Sequence, residues 1–253
     1  PEPPEAPPRA PARSAGPPTR ALIPQPALVE PLRFENGSLR LLDQTQLPER
    51  ESWIMIESAD AMAEAIARLA VRGAPAIGIA AALALAVEAR RLAGALRASM
   101  ERRELPAALE DAAARLRATR PTAVNLAWAL DRTLAEARAA AARGEDPAAA
   151  IEREACAIWD EDRAASRAMA AHGADLLGGR RRFLTHCNTG GLATGGGGTA
   201  LAVLLEMHRR HPDEVEIWHT ETRPLLQGAR LTAWELLRAG IVPRLIPDAA
   251  AAH

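Results

Sequence analysis

Lysine and tyrosine are both absent from the 253 residues, so all 31 basic side chains are arginine. Schiff-base lysine chemistry and a lysine-bearing phosphate loop are therefore excluded within these residues. Cysteine is almost absent as well. Cys156 and Cys187 stand in segments of different character without metal-ligand spacing, which argues against a disulfide framework and suggests no metal site. No uninterrupted apolar run reaches the roughly 18 residues that a membrane span needs, and the most apolar stretch, Ala76 to Val87, falls short. The first residues lack the charged start and apolar run of a signal peptide. A formal net charge of −1 gives no global field for nucleic acid or an anionic membrane, so any bound anion must be held locally. The expected setting is reducing and cytoplasmic, with no nucleic-acid partner and no membrane.

Proline, by contrast, crowds the first 31 residues, which hold 11 of the 20 in the chain. It removes backbone donors and forbids regular helix, so 1–31 reads as a disordered or extended leader. Folded structure is expected from about Leu32. A short hairpin turns at Asn36-Gly37 between weakly alternating Phe34, Leu39 and Leu41. A helix over 58–69, with Ser58 or Asp60 as N-cap, leads to the turn Val71-Arg-Gly-Ala-Pro-Ala-Ile-Gly78, which opens an apolar helix over 79–92. Ala- and Arg-rich helices are predicted near 106–118, 122–143 and 147–173, making 32–175 a mainly helical N-terminal domain. The composition shifts at Gly173 to Gly179. Strands at 182–187, 215–220 and 242–246 then alternate with helices at 198–210 and 231–239, which implies right-handed crossovers and a parallel sheet. The expected fold class is α/β: a helical N-terminal domain followed by a Rossmann-like parallel-sheet domain over 176–253. That second domain reads as incomplete, since three strands are few for a doubly wound sheet.

Cys187 stands where an apolar strand meets the loop Asn188-Thr-Gly-Gly191. The helix that follows would aim its first N–H groups at the same crevice, a setting that exposes and activates a thiol. A buried structural cysteine is the competing reading. His186 forms no dyad with it, because adjacent strand residues point to opposite faces. Gly190 to Gly198 contains six glycines, which suit a phosphate or sugar approaching the backbone. Gly195-x-Gly197-x-x-Ala200 with Glu221 also fits a dinucleotide fingerprint, although Cys187 lies too far ahead of it for a tight Rossmann turn. A merely flexible loop is the third alternative. Arg72 beside the Gly73-Ala74 turn, and Arg120 before a Pro-initiated helix, each pair a guanidinium with free helix N–H groups as an anion clamp. A solvated arginine at a capping turn explains either one alone. Of Arg223, Gln227 and Arg230, one or two are expected to face the crevice while the rest pair with acids such as Glu221. His208-x-x-His211 reads as a solvated helix end, Cys156 as core, and Asp160-Glu-Asp162 as a solvated face.

Six segments in order carry a family resemblance: Leu42-Asp-Gln-Thr-Gln-Leu-Pro48, Val71 to Gly78, Arg120-Pro-Thr-Ala-Val-Asn-Leu126, Thr185-His-Cys-Asn-Thr-Gly190, Leu192 to Leu201, and Glu221 to Leu236. In these the chain resembles the methylthioribose-1-phosphate isomerases, whose superfamily includes regulatory subunits of initiation factor 2B and ribose-1,5-bisphosphate isomerases. The resemblance runs from about Leu32 to Asp248. It implies a helical domain on a Rossmann-like domain, usually dimeric. It also implies isomerisation of 5-methylthioribose 1-phosphate to 5-methylthioribulose 1-phosphate in methionine salvage, without metal or nucleotide. By the same resemblance Cys187 is the catalytic cysteine, and Arg72, Gly73, Ala74, Arg120 and Gln227 bind the sugar phosphate. The family's catalytic aspartate, in a Gly-Ala-Asp-Arg segment, and a following Asn-Lys pair do not occur in these residues. Asp248 matches a different, earlier aspartate. The resemblance therefore implies a chain cut short on its C-terminal side and inactive by itself. Among the alternatives, a ribose-1,5-bisphosphate isomerase would need a second phosphate site, and a regulatory subunit would be expected to lack the cysteine.

Overall fold

The computed structural model describes residues 29–96 and 105–253, so most of the expected leader, 1–28, lies outside the described residues. Strands β1 (Leu32–Glu35) and β2 (Ser38–Leu42) form the expected hairpin. Asn36 and Gly37 take φ of 53° and 78°, the left-handed pair that suits a two-residue turn between twisted strands. Leu32, Leu39 and Leu41 are buried, while Arg33 and Arg40, opposite one another on the ladder, are exposed. Order begins before Leu32, against the expectation: Pro31 O accepts from Leu42 N, and Val29 packs onto Leu42, Leu47, Leu192 and Leu231. A third strand, β3 (Trp53–Ile56), pairs antiparallel with β2 and was not foreseen, because four residues without clean alternation carry little periodic signal.

Helix α1 (Ala59–Ala67) starts at Ser58, whose hydroxyl accepts from Ala61 N. Helix α2 (Ala74–Leu96) starts five residues earlier than the sequence suggested. Pro75 suits a first turn, where its missing N–H has no helical partner to lose, so the Gly-Ala-Pro segment is helix and not a loop before it. From Ala76 to Ala89 every residue of α2 is buried, as a helix apolar on all sides must be. Glu88, the one acid in that stretch, accepts from Ala59 N at the start of α1 and pairs with Arg91. Around α2 pack α3 (Leu105–Thr119), α4 (Val124–Arg143) and α5 (Pro147–Leu177).

Strands β4 (Arg182–Thr185), β5 (Glu216–Thr220) and β6 (Arg244–Ile246) form a parallel sheet in that order. Helices α6 (Ala200–Arg210) and α7 (Ala233–Arg238) pack on one face, where Leu201, Leu204 and Leu236 meet Ile217. On the opposite face Leu184 is half exposed and Arg244 stacks on Trp218. Helix α7 is entered through a π-helical turn, Gly228–Thr232, which replaces the simple helix start expected at Leu231.

Two of the contacts that join the N-terminal layers to the parallel sheet lie near the loop after β4. One is the small apolar cluster of Leu42, Leu47, Leu192 and Leu231. The other is Gly73, which has φ of 102° and lies so close to the backbone of Ala193 that any Cβ there would collide with it. Both its conformation and its position demand glycine. Gly94, exposed in α2, has nothing near its absent Cβ. Gly73→Ala is expected to lower stability by about 2 kcal/mol or more. Gly94→Ala is expected to raise it by about 0.5–1 kcal/mol. Urea unfolding of the two variants against the parent chain checks the pair.

Candidate functional site

The polypeptide turns that precede α2 and α4 come together because Gly78 lets the two helices touch at Asn125. Their N-termini therefore open side by side on one cavity of about 630 Å³, within the size range of small-molecule sites. Its walls are the loop after β2 (Gln44, Thr45), the end of α1 (Arg68, Leu69), the start of α2 (Arg72, Gly73, Ala74, Ile77), the start of α4 (Arg120, Thr122, Ala123) and the turn into α7 (Leu225, Gln227, Arg230, Leu231). Arg72, Gly73, Ala74, Arg120 and Gln227, far apart in sequence, thus line a single space. No side chain caps α4, so its first N–H groups stay available beside Arg120.

The arginines around the cavity have different duties. Arg230 donates to the carbonyls of Gln44, Thr45 and Leu47 and so pins the loop after β2. Arg68 pairs with Asp43 at 2.9 Å; Thr45 and Arg68 hold that carboxyl below its usual range although burial opposes them. Arg223 pairs with Glu221 and does not line the cavity. Arg120 is exposed, its guanidinium without a hydrogen bond or ion pair among the described residues, and the Arg72 guanidinium is turned toward the loop after β4.

Arg72 Nη1 donates to Asn188 Oδ1 at 3.1 Å, and Nη2 lies 3.7 Å from Cys187 Sγ. Cys187 is half-buried at the cavity's margin and outside its lining. Besides Arg72 at its thiol, the cysteine is held at both ends of its backbone. It has φ of 64°, its N–H donates to Thr222 Oγ1 at 2.9 Å, and its carbonyl accepts from Thr232 Oγ1 at 2.6 Å. Thr222 is itself left-handed, with φ of 61°, an uncommon conformation for a β-branched residue. The Asp248 carboxylate keeps it there by accepting from both Thr222 N and Arg223 N at 2.8 Å. These two backbone bonds lower the Asp248 pKa. Leu69 and Leu226, beside the cavity, are left-handed too. Strained backbone of this kind gathers at functional sites.

Behind Asn188 lies Glu235, 5% exposed, which accepts from Asn188 Nδ2 at 2.7 Å and from Leu192 N at 3.4 Å. Burial pushes its carboxyl up to about 7, against the opposing hydrogen bonds and the nearby Arg72. The chain Glu235–Asn188–Arg72–Cys187 was missed in the sequence. Glu235 sits on a short helix whose apolar pattern hides it, and Asn188 and Thr232 lie in segments that carry the family resemblance without being given a role by it.

The glycine run is not the open cradle expected of it. Gly190 to Gly198 is buried throughout. Gly195 N donates to Asp162 Oδ2 at 2.7 Å, Trp159 Nε1 donates to Gly195 O at 2.5 Å, and Ser166 fills the space at Gly197. A protein carboxylate therefore occupies the anion seat that a dinucleotide would need. Asp162 is accordingly not part of a solvated face, and burial raises its pKa. Nor does α6 aim its first turn at Cys187, since Leu201 N donates to Thr189 Oγ1. The positive group beside the thiol is Arg72. His186 bonds Thr220 Oγ1 and not the cysteine, as alternation requires. His211 ends α6 against Arg181. Cys156 packs on the core, where burial pushes its thiol up, beside a separate groove of about 620 Å³ whose Arg90 is taken by Glu152.

The raised Glu235 carboxyl has a consequence for stability. Between its ordinary value near 4.5 and about 7 the folded chain keeps a proton that the unfolded chain has lost. Stability therefore falls as pH rises through that window, by about 3 kcal/mol in all, and levels off above it. Glu235→Gln is expected to remove this component, so the stability difference between the two proteins should change steadily from pH 5 to 7 and little from 7.5 to 8.5, as measured by urea unfolding across pH.

A model of the initiation factor 2 subunit family matches residues 70–253. The methylthioribose-1-phosphate isomerase of Stutzerimonas stutzeri is 48% identical over 230 residues, which are 89% of this chain and 62% of that protein. Among solved structures, 5-methylthioribose 1-phosphate isomerase from Pyrococcus horikoshii superposes with a TM-score of 0.79 at 37% identity, covering 92% of this chain and 64% of that one. Subunit delta of translation initiation factor eIF-2B from A. fulgidus superposes with a TM-score of 0.75 at 39% identity, covering 88% and 63%. The chain spans between 56% and 62% of the length of the first curated relatives it matches. The family model takes in the start of α2, the start of α4, the Cys187 loop and the turn into α7, and so every segment of the cavity except the loop after β2 and the end of α1. By that match, this chain belongs to the initiation factor 2 subunit family.

Proposed function

We propose that this chain carries the sugar-phosphate site of an aldose–ketose isomerase that converts 5-methylthioribose 1-phosphate to 5-methylthioribulose 1-phosphate. One observation carries the reading: a half-buried thiol lies 3.7 Å from a guanidinium at the margin of a cavity served by two helix N-termini and a second, unpaired arginine. Relatives named for this activity at 46–52% identity support it. In that role the protein acts in methionine salvage, in the cytoplasm and as a homodimer, on a two-domain scaffold divided near residue 175.

The chemistry is a transposition within one molecule. The bond from C1 to the ring oxygen breaks, that oxygen gains a proton, a hydrogen moves from C2 to C1, and the C2 hydroxyl loses its proton as the ketone forms. No oxidant or reductant is consumed. Arg120 and the N–H groups at the starts of α2 and α4 bind the phosphate. Gly73 and Ala74 let the sugar approach the backbone, because no bulky side chain stands at the start of α2. Gln227 orients the sugar, and Cys187 exchanges a proton with it while Arg72 fixes the thiol. The alternative of a non-enzymatic regulatory subunit rests on the likeness to the eIF-2B subunit. The cysteine held from three sides favours the enzyme, since a scaffold has no use for a constrained thiol.

The test is protection of a thiol. Saturating 5-methylthioribose 1-phosphate is expected to slow alkylation of Cys187 by iodoacetamide at least tenfold, with Cys156 as internal control, read by peptide mass spectrometry. Arg120→Met should weaken binding of the sugar phosphate by about 10²-fold, as loss of charge-assisted bonds to phosphate implies. Alkylation of Cys187 that is indifferent to the sugar phosphate would sink the isomerase reading.

A further inference from the structure

Glu235 is buried against the Cys187 loop, and the binding scheme above gives it no part. A buried carboxyl loses its hydration, and an apolar side chain of similar size would fill the same space at less cost. The chain also forgoes a side chain to admit it. A Cβ on Gly190 would overlap both carboxyl oxygens, so that position of the Cys187 loop has to stay bare. The side-chain bonds of Glu235 run to the same loop: Oε1 accepts from Asn188 Nδ2 at 2.7 Å, and Oε2 from Leu192 N at 3.4 Å.

Asn188 passes this contact on. It is buried, and its Nδ2 is given to Glu235 and, at 3.4 Å, to Thr232 Oγ1, so its Oδ1 is the end left for Arg72 Nη1 at 3.1 Å. A turned amide would set its NH2 against the guanidinium, donor against donor. The guanidinium is planar and rigid, so fixing Nη1 also aims Nη2, which lies 3.7 Å from Cys187 Sγ. We infer that Glu235 is a positioning residue, whose Oε1 locks the Asn188 amide and through it holds the Arg72 guanidinium against the Cys187 thiol. A carboxyl keeps an acceptor oxygen whether or not it is protonated, so the role requires an acceptor and not a charge. The inference rests on the isomerase reading only in taking Cys187 as the group that meets the substrate.

Two alkylating reagents applied to the whole chain at low salt test it. Both attack the same thiol, but iodoacetate is an anion and iodoacetamide is neutral. The ratio of their rates at Cys187 therefore reports a cation beside the sulfur and cancels general changes in exposure. In the parent chain this ratio is expected to be about fivefold higher than in the same chain unfolded in urea, the effect of a unit charge a few ångströms away. Arg72→Met and Glu235→Leu should each abolish the rise, whereas Glu235→Gln, which still offers an oxygen to Asn188, should keep it within about twofold. Unchanged alkylation of Cys156 shows that the fold is intact. Should Glu235→Leu open the fold, Glu235→Met, which keeps the unbranched shape of the side chain, takes its place. A raised ratio that survives in either of these two variants overturns the inference, as do its loss in Glu235→Gln, its persistence in Arg72→Met and its absence from the parent chain. Should the ratios follow expectation while saturating 5-methylthioribose 1-phosphate gives Cys187 no protection, the isomerase reading falls and the positioning of the thiol stands.

Discussion

The candidate site depends on the close joint where Gly73 meets the backbone of Ala193. The residue before Gly73 is Arg72 and the residue after it begins α2, a helix buried on nearly every side. Six residues before Ala193 is Cys187. Pressing the two backbones together with no side chain between them therefore brings a guanidinium from the helical layer to a thiol from the sheet. Gln44 Nε2, which bonds the carbonyl of Leu192, closes the same seam from the side of the antiparallel sheet. Three parts of the fold meet within a few residues, and the cavity is what remains open between them.

Much of this was legible in the sequence wherever local chemistry decides the outcome. Asn-Gly among the weakly alternating Phe34, Leu39 and Leu41 marked the hairpin, and of the two N-caps offered for α1 the structure uses Ser58. Helices α3 and α4 ended within one residue of their predicted ends, while α2 and α5 each ran four residues further. The clustering of Arg72, Arg120 and Gln227 followed from motif resemblance, because nothing in their spacing brings residues so far apart to one place. Strand β3 and the π-helical turn were hidden, the first by its length and the second because an insertion of one residue in a helix leaves little trace in hydrophobic periodicity.

The glycine run was misread for an instructive reason. Six glycines after a strand suggest a backbone laid open to a ligand, yet the same lack of side chains lets another part of the protein come close. Here α5 does so, with Trp159, Asp162 and Ser166 filling the space. Composition alone cannot separate the two uses, since both require the same small residue. The distinction lay in Asp162, which by pattern belongs to a charged helix face and by position supplies the acceptor for Gly195 N. Asn188 and Glu235 escaped notice similarly, as polar residues whose partners are remote in sequence.

The tether from Asp248 through Thr222 to the Cys187 N–H links the ends of all three parallel strands. Arg72 is carried elsewhere, on the turn that enters α2, outside that sheet. The thiol and the guanidinium are thus mounted on separate frames, like the two jaws of a caliper. Sliding of one frame along the other by a single ångström would be read out directly as a change in their separation, whereas motion within either frame would leave it almost untouched.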